Sequence, residues 1–198
     1  SEYTTALFDI FSNYTVCDTH RNVDIFLDHK RLQEGRSFQS DFAKALANSV
    51  VVVPILSHHA LVNMLDHSPV KEDNVLIEWL MSLECYNSPQ SRVSKIFPII
   101  FGPRDSTDEE KILNLFEDGS HFHKAPNVVP TASINKVEQL LKSNGLTPSN
   151  NLHQYTVQSL VKELSTFLCF LTWRAKRQNK VVAEGAHRVM NVLRGCDA

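Results

Sequence analysis

VDIFLDHKRLQEGRSFQSDFAKALANSVVVVPILS, residues Val23 to Ser57, is the stretch whose reading decides the fold. Val23–Leu27 is a short apolar, β-branched run that predicts a buried strand ending at Asp28. The residues after it carry Lys30, Arg31, Glu34 and Arg36 around the single Gly35, which predicts a charged loop containing a turn. Ser37 can cap a helix whose apolar positions Phe38, Phe42, Ala45 and Leu46 share one face. Val50–Leu56 is nearly continuously hydrophobic, as in a strand buried on both faces. Strand, loop, helix and strand at this length make one βαβ unit with a right-handed crossover, the nucleus of a parallel sheet.

Around that unit the chain has the size of one domain with an extension, and 42% hydrophobic residues suffice for a proper core. Lysine and arginine number 20 against 22 aspartates and glutamates, a balance that argues against generic nucleic-acid binding. The charge is uneven. Residues 172–198 hold six basic side chains and two acidic ones, so residues 176–198 read as a solvated basic linker or the start of a truncated segment. A basic tail meeting an acidic partner or an anionic surface is the sharper alternative.

Cys17, Cys85, Cys169 and Cys196 are scattered without a CxxC pair, which suits a reducing cytoplasm better than a disulfide framework. His58, His59, His121 and His123 have no cysteine or acidic partner at metal spacing, so no metal site is expected. No apolar run reaches the ~18 residues of a membrane span, and no secretory signal is visible.

Along the rest of the chain, Tyr3–Tyr14 has amphipathic helical spacing at Ala6, Leu7, Ile10, Phe11 and Tyr14. After a break near Ser68-Pro69 a helix restarts behind Glu72 and Asp73, with Leu76, Trp79, Leu80 and Leu83 as its core-facing stripe. Lys95–Phe101 predicts another strand, closed by Gly102-Pro103, and Ser106 or Thr107 can cap a helix over DEEKILNLFED. Residues His121–Pro130 read as irregular, and Ser133–Asn144 as a helix stopped by Gly145. The last helix is expected from about Asn151 to Arg174, on the stripe Val157, Leu160, Val161, Leu164, Phe167, Leu168 and Leu171. Val23–Leu27, Val50–Leu56 and Ile96–Phe101 are then expected as parallel neighbours in a three-layer α/β domain.

Asp28, at a strand end, fits two families. The phosphoacceptor of a receiver domain sits in such a place, but it needs a further acidic pair to hold magnesium, and no earlier strand supplies one. The better match is FLDHKRLQEGRSF followed by the run ending PILS. Phe26, Asp28, Leu32, Gly35 and Ser57 fall where the second strand, BB-loop and third strand of a Toll/interleukin receptor (TIR) domain carry such residues. VLIEWLMSLECYNSP and KIFPIIFG continue the likeness, which covers roughly residues 3 to 103.

The resemblance implies a flavodoxin-like parallel sheet with helices on both faces, over residues 1–175. It also implies a first strand ahead of the Tyr3–Tyr14 helix. The sequence opens directly on that helix, so an uncovered sheet and self-association are expected. Some TIR domains cleave NAD⁺ as a substrate in innate immune or cell-death signalling, using a glutamate on the helix after the third strand. Glu78 in Val75-Leu76-Ile77-Glu78-Trp79 falls in that frame. A single carboxylate is what the chemistry needs, because departing nicotinamide leaves an oxocarbenium-like cation that an anion ~3 Å away stabilises.

A bland reading of Glu78 is a solvated helix residue, since it lies about 150° from the apolar stripe at the 3.6-residue period. Against that, its neighbours at i±3, i±4 and i+7 are Val75, Asn74, Met81, Ser82 and Cys85, with no lysine or arginine to pair with it. Many family members have tryptophan where Asn74 stands, which puts the pocket's shape in question. The resemblance makes Asp28, Lys30, Arg31, Gly35, Arg36 and Asn74 the expected substrate-binding residues, the basic ones facing diphosphate oxygens. The same loop as a purely protein-contacting surface gives the other function, a non-enzymatic adaptor recruiting other TIR domains. No glycine-rich phosphate cradle or Ser/His/Asp set appears, so no bound cofactor is expected.

Overall fold

The computed structural model of the 198-residue chain describes residues 5, 8, 9, 12, 13, 15, 16, 21, 22, 24–26, 38–57, 73–101 and 128–167. The expected loop from Asp28 to Arg36, the helix over DEEKILNLFED and the basic tail lie outside them. The described elements are β1 (Thr15–Val16), β2 (Arg21–Asn22), α1 (Phe38–Asn48), β3 (Val51–Val52), β4 (Ile55–Ser57), α2 (Asn74–Asn87), β5 (Lys95–Ile96), β6 (Ile99–Phe101), α3 (Thr131–Ser143) and α4 (Val157–Thr166).

β3 pairs with β5 and β4 with β6, both parallel. The register is constant across the two pairs, Val51 opposite Lys95 and Ser57 opposite Phe101, so these are two halves of one strand pair. VVVPILS and KIFPIIF each carry a proline at the fourth position, and Pro54 falls opposite Pro98. The ladder's phase explains the gap. Lys95 N and Phe97 N donate to Val50 O (3.4 Å) and Val52 O (2.8 Å), so alternate residues from Val52 onward face the partner strand. Pro54 is the next to do so, and its nitrogen, which has no hydrogen, sits where the ladder calls for a donor to Phe97 O. By the same alternation the Pro98 nitrogen faces away from the 51–57 strand.

Of the expected strand Val23–Leu27, Asp24, Ile25 and Phe26 are described, and they lie in no ladder. Asp24 is exposed and its two neighbours are half-buried, unlike a strand covered on both faces. Arg21–Asn22 instead pairs antiparallel with Thr15–Val16. The expected first helix is seen at Thr5, Phe8, Asp9 and Ser12, and the Asn13 side chain donates to Asp9 O at 2.7 Å.

α2 is the axis of the core. Asp73 caps it, its carboxylate accepting from Leu76 N at 2.9 Å, and Pro89 follows its end. The expected stripe of Leu76, Trp79, Leu80 and Leu83 is buried, but so are Ile77, Met81, Ser82, Glu84 and Cys85. A helix covered on nearly every side is central rather than amphipathic, and α2 packs against α1, α3, α4 and β5. On α1 the buried positions are Ala43, Leu46 and Ala47, with Phe42 packed at their margin.

α3 begins two residues before the expected Ser133, directly after Pro130, whose fixed φ of −55° leads the chain in. It ends in a Schellman motif: Leu146 N donates to Leu141 O (3.0 Å) and Gly145 N to Lys142 O (3.1 Å), with Gly145 at φ 75°. α4 is shorter than expected. Leu152–Gln154 is a 3₁₀ turn, Tyr155 is extended, and Thr156 starts the helix through a reciprocal cap with Ser159. Ser159 N donates to Thr156 Oγ1 at 2.9 Å and Thr156 N to Ser159 Oγ at 2.8 Å. The helix closes at Thr166, whose hydroxyl donates to Glu163 O, and Phe167 is extended. Val157, Leu160, Val161 and Leu164 are buried, while Leu168 and Leu171 lie outside the described residues.

Candidate functional site

A helix joining two parallel strands must run back against them. α2 follows the 51–57 strand in the chain, precedes the 95–101 strand and packs against β5. Asn74 is the first residue of α2 and is exposed, and Glu78, one turn on, is half-buried between buried Ile77 and Trp79. Residues four apart in a helix share a face, so the two stand one turn apart on it, Asn74 exposed and Glu78 half-buried. The Glu78 backbone carbonyl accepts from Ser82 Oγ at 2.7 Å, and its carboxylate is not an unpartnered charge.

Asn74 has a partner that its local sequence does not announce. Gln39 Nε2, in the first turn of α1, donates to Asn74 Oδ1 at 3.1 Å. The bond joins the amino-terminal ends of two packed helices across 35 residues of sequence. Of the expected site residues, Asn74 and the expected catalytic Glu78 are described, one turn apart on α2, and Gln39 stands beside Asn74. Asp28, Lys30, Arg31, Gly35 and Arg36 lie outside the described residues.

Farther along α2 is a second carboxylate of a different kind. Glu84 is buried, and its two oxygens accept from Ser149 N and Ser149 Oγ, each at 2.7 Å. With both oxygens taken by a loop 65 residues away, it is a clamp rather than a reactive group. Cys85 beside it is buried and its thiol is pushed up to about 12, first by loss of solvent, so it is no nucleophile at neutral pH. Tyr155 is likewise pushed up to about 12, by burial and then by the neighbouring Glu163 and Glu84 carboxylates. On α3, hydrogen bonds from His153 (2.7 Å) and Lys142 (3.1 Å) hold the Glu138 carboxyl below its ordinary range.

Among the described residues no group of three or more histidine, cysteine or acidic side chains could hold a metal ion. No described helix is long and apolar enough to cross a membrane. No known protein family matches the chain, and no curated protein or solved structure matches it significantly.

Proposed function

We propose that this chain is a TIR-like domain that cleaves the nicotinamide–ribose bond of NAD⁺, with Glu78 as the carboxylate facing the ribosyl cation. The observation that carries the reading is the place of Glu78: half-buried in the early part of a helix that follows one parallel strand and precedes another. The sequence pattern around Asp28 and Gly35 supports the same family. A flavodoxin-like sheet is the arrangement in which both features serve one site.

The chemistry needs little from the protein. The bond between the ribose carbon C1′ and the pyridinium nitrogen breaks with its electron pair going to nitrogen, and nicotinamide leaves neutral without being protonated. Water then adds to C1′ and gives up a proton, yielding ADP-ribose. The Glu78 carboxylate opposes the positive charge while it exists and orients the incoming water. Arg36 and Lys30, on the loop, are assigned to the diphosphate.

The test is nicotinamide release from NAD⁺ by the chain and by Glu78→Gln. Removing one such electrostatic contact is expected to lower kcat by about 10²–10³. Arg36→Ala is expected to raise KM with a smaller loss at saturating NAD⁺. Unchanged turnover in Glu78→Gln would remove it as the catalytic residue. A wild-type chain that releases no nicotinamide would leave the adaptor, with self-association as its readout.

A further inference from the structure

Asn144-Gly145 is the one Asn-Gly pair in the sequence, and it stands where α3 ends and the connection to α4 begins. In such a pair the following residue's nitrogen can attack the asparagine side-chain carbon, and glycine, having no side chain, lets it approach most closely. The folded chain occupies both reacting groups. Gly145 N donates to Lys142 O at 3.1 Å, and Asn144 Nδ2 donates to Leu140 O at 2.8 Å. Asn144 also has ψ 12°, which turns the Gly145 nitrogen toward Asn144's own backbone nitrogen rather than toward its side chain. Burial is not what protects the pair: Gly145 is exposed, and nothing lies within 4 Å of where a Cβ would stand.

The turn is held shut by the chain that follows it. Leu146 is buried, Thr147 N donates to Gln90 Oε1 at 3.0 Å, and Ser149 holds Glu84 through two bonds of 2.7 Å. We propose that Asn144-Gly145 is a site of spontaneous deamidation, reached when residues 145–149 release α2, and that the modification keeps them released. In the opened turn the Gly145 nitrogen gives its proton to solvent base and bonds to Asn144 Cγ. The Cγ–Nδ2 bond breaks and ammonia leaves. Water then opens the five-membered imide at either carbonyl, giving aspartate or isoaspartate.

Neither product restores the native turn. The new carboxylate has no hydrogen to donate to Leu140 O, and it sits at the negative end of a helix dipole. Isoaspartate also adds a carbon to the backbone, which displaces the bonds that Lys142 O and Leu141 O accept in the Schellman motif. With the turn lost, Ser149 is no longer held over Glu84, whose buried oxygens then lack their donors. The result is a one-way change in how the α3–α4 connection sits on α2.

The experiment incubates the chain in warm, mildly alkaline buffer, follows ammonia release, and locates isoaspartate by enzymatic methylation and peptide mapping. Unfolded in urea, the chain is expected to convert at Asn144 at least about ten times faster than the native chain, a ratio that ~1.4 kcal/mol of turn closure supplies. Ser149→Ala should speed the native reaction severalfold. Urea short of the unfolding transition should leave the wild-type rate flat, because a local opening exposes little surface. Asn144→Asp, which carries the product's charge, should lower the urea midpoint and shrink the further effect of Ser149→Ala, the clamp being already loose. Conversion as fast in the native as in the unfolded chain, or a native rate that climbs with urea along the unfolding curve, overturns the gate. Full additivity of Asn144→Asp and Ser149→Ala overturns the link to Glu84. An unfolded chain that does not convert at Asn144 overturns the site itself.

Discussion

Ser149 donates both of its polar hydrogens to one buried side chain: its backbone N–H and its hydroxyl each reach a different oxygen of Glu84 at 2.7 Å. This places a carboxyl group in the last turn of the central helix at 3% exposure, held by a loop and, among the described residues, by no counter-ion. Thr147 N is held similarly by Gln90 Oε1 at 3.0 Å, so the α3–α4 connection hangs on acceptors presented by the α2 end of the molecule. Ser149→Ala removes one donor and strands one carboxylate oxygen, at an expected cost of about 1–3 kcal/mol. The midpoint of urea unfolding reads it. A shift below about 0.5 kcal/mol, the range of ordinary surface changes, would mean water replaces the hydroxyl.

Ser133 makes the opposite case. It is fully buried in the first turn of α3, and its Oγ has no hydrogen-bond partner among the described residues. A hydroxyl buried without a partner costs about 1–3 kcal/mol, and alanine is the better helix former. Ser133→Ala is therefore expected to stabilise the chain by about 1 kcal/mol, raising Tm by about 2–4 °C. A lowered Tm would show that the hydroxyl is satisfied in solution.

Stability should fall on the alkaline side for an identifiable reason. The Cys85 thiol and the Tyr155 hydroxyl are each held at about 12 in the folded chain, above their ordinary 9.0 and 10.0. Between the ordinary and the raised value the folded state keeps a proton that the unfolded state has released, so stability declines with rising pH. That contribution is whole below pH ~9 for Cys85 and ~10 for Tyr155, and is lost as pH climbs toward 12. Melting temperatures from pH 8 to 11 should fall less steeply in Tyr155→Phe than in wild type. On the acid side Glu138, held low by His153 and Lys142, acts in reverse, its contribution disappearing as pH drops below the ordinary carboxyl value.

Burying the Cys85 thiol also makes a kinetic statement. A group at 0% exposure with so little thiolate should react with an aromatic disulfide reagent only when the chain opens. Its labelling rate in native buffer is expected to track the unfolding equilibrium, falling when Ser133→Ala is introduced and rising with Ser149→Ala. Rapid labelling of Cys85, located by peptide mapping and unchanged in both variants, would place the thiol within reach of solvent.

What is legible in the sequence is local. The helix start behind Asp73, Gly145 as a stop and the Leu76, Trp79, Leu80, Leu83 stripe depend on neighbours within one or two helical turns, and all three hold; that the Asp73 side chain caps the helix is a finding of the structure. The apolar stripe alone does not mark a first turn, which is why it puts the start of α4 too early, at Asn151. The Thr156–Ser159 cap does mark it, with serine in the place usually taken by glutamate or glutamine. The remaining burial of α2, and the pairs Gln39–Asn74 and Glu84–Ser149, depend on which elements become neighbours. No periodicity in one segment encodes that. Glu78 is reached through a family pattern, Gln39 through a hydrogen bond alone.

The two opposed prolines offer a way to read the sheet beyond its described pair. In Pro54→Ala the new amide faces Phe97 O across the ladder, and a formed hydrogen bond would join the β3–β5 and β4–β6 halves. Its contribution of about 1 kcal/mol is offset by the lost proline constraint of about 0.4–1 kcal/mol, so hydrogen exchange is a better readout than stability. The amide introduced by Pro54→Ala should be protected about as well as that of Phe97, whose bond to Val52 O is 2.8 Å. Pro98→Ala asks the harder question, because its amide faces the flank away from the 51–57 strand. Pro98 is buried, and in a doubly wound sheet a further strand lies on that flank, so slow exchange is expected there too. Fast exchange of the new amide in Pro98→Ala, beside slow exchange of the one in Pro54→Ala, would make 95–101 an edge strand, and the flavodoxin-like arrangement would have to be given up.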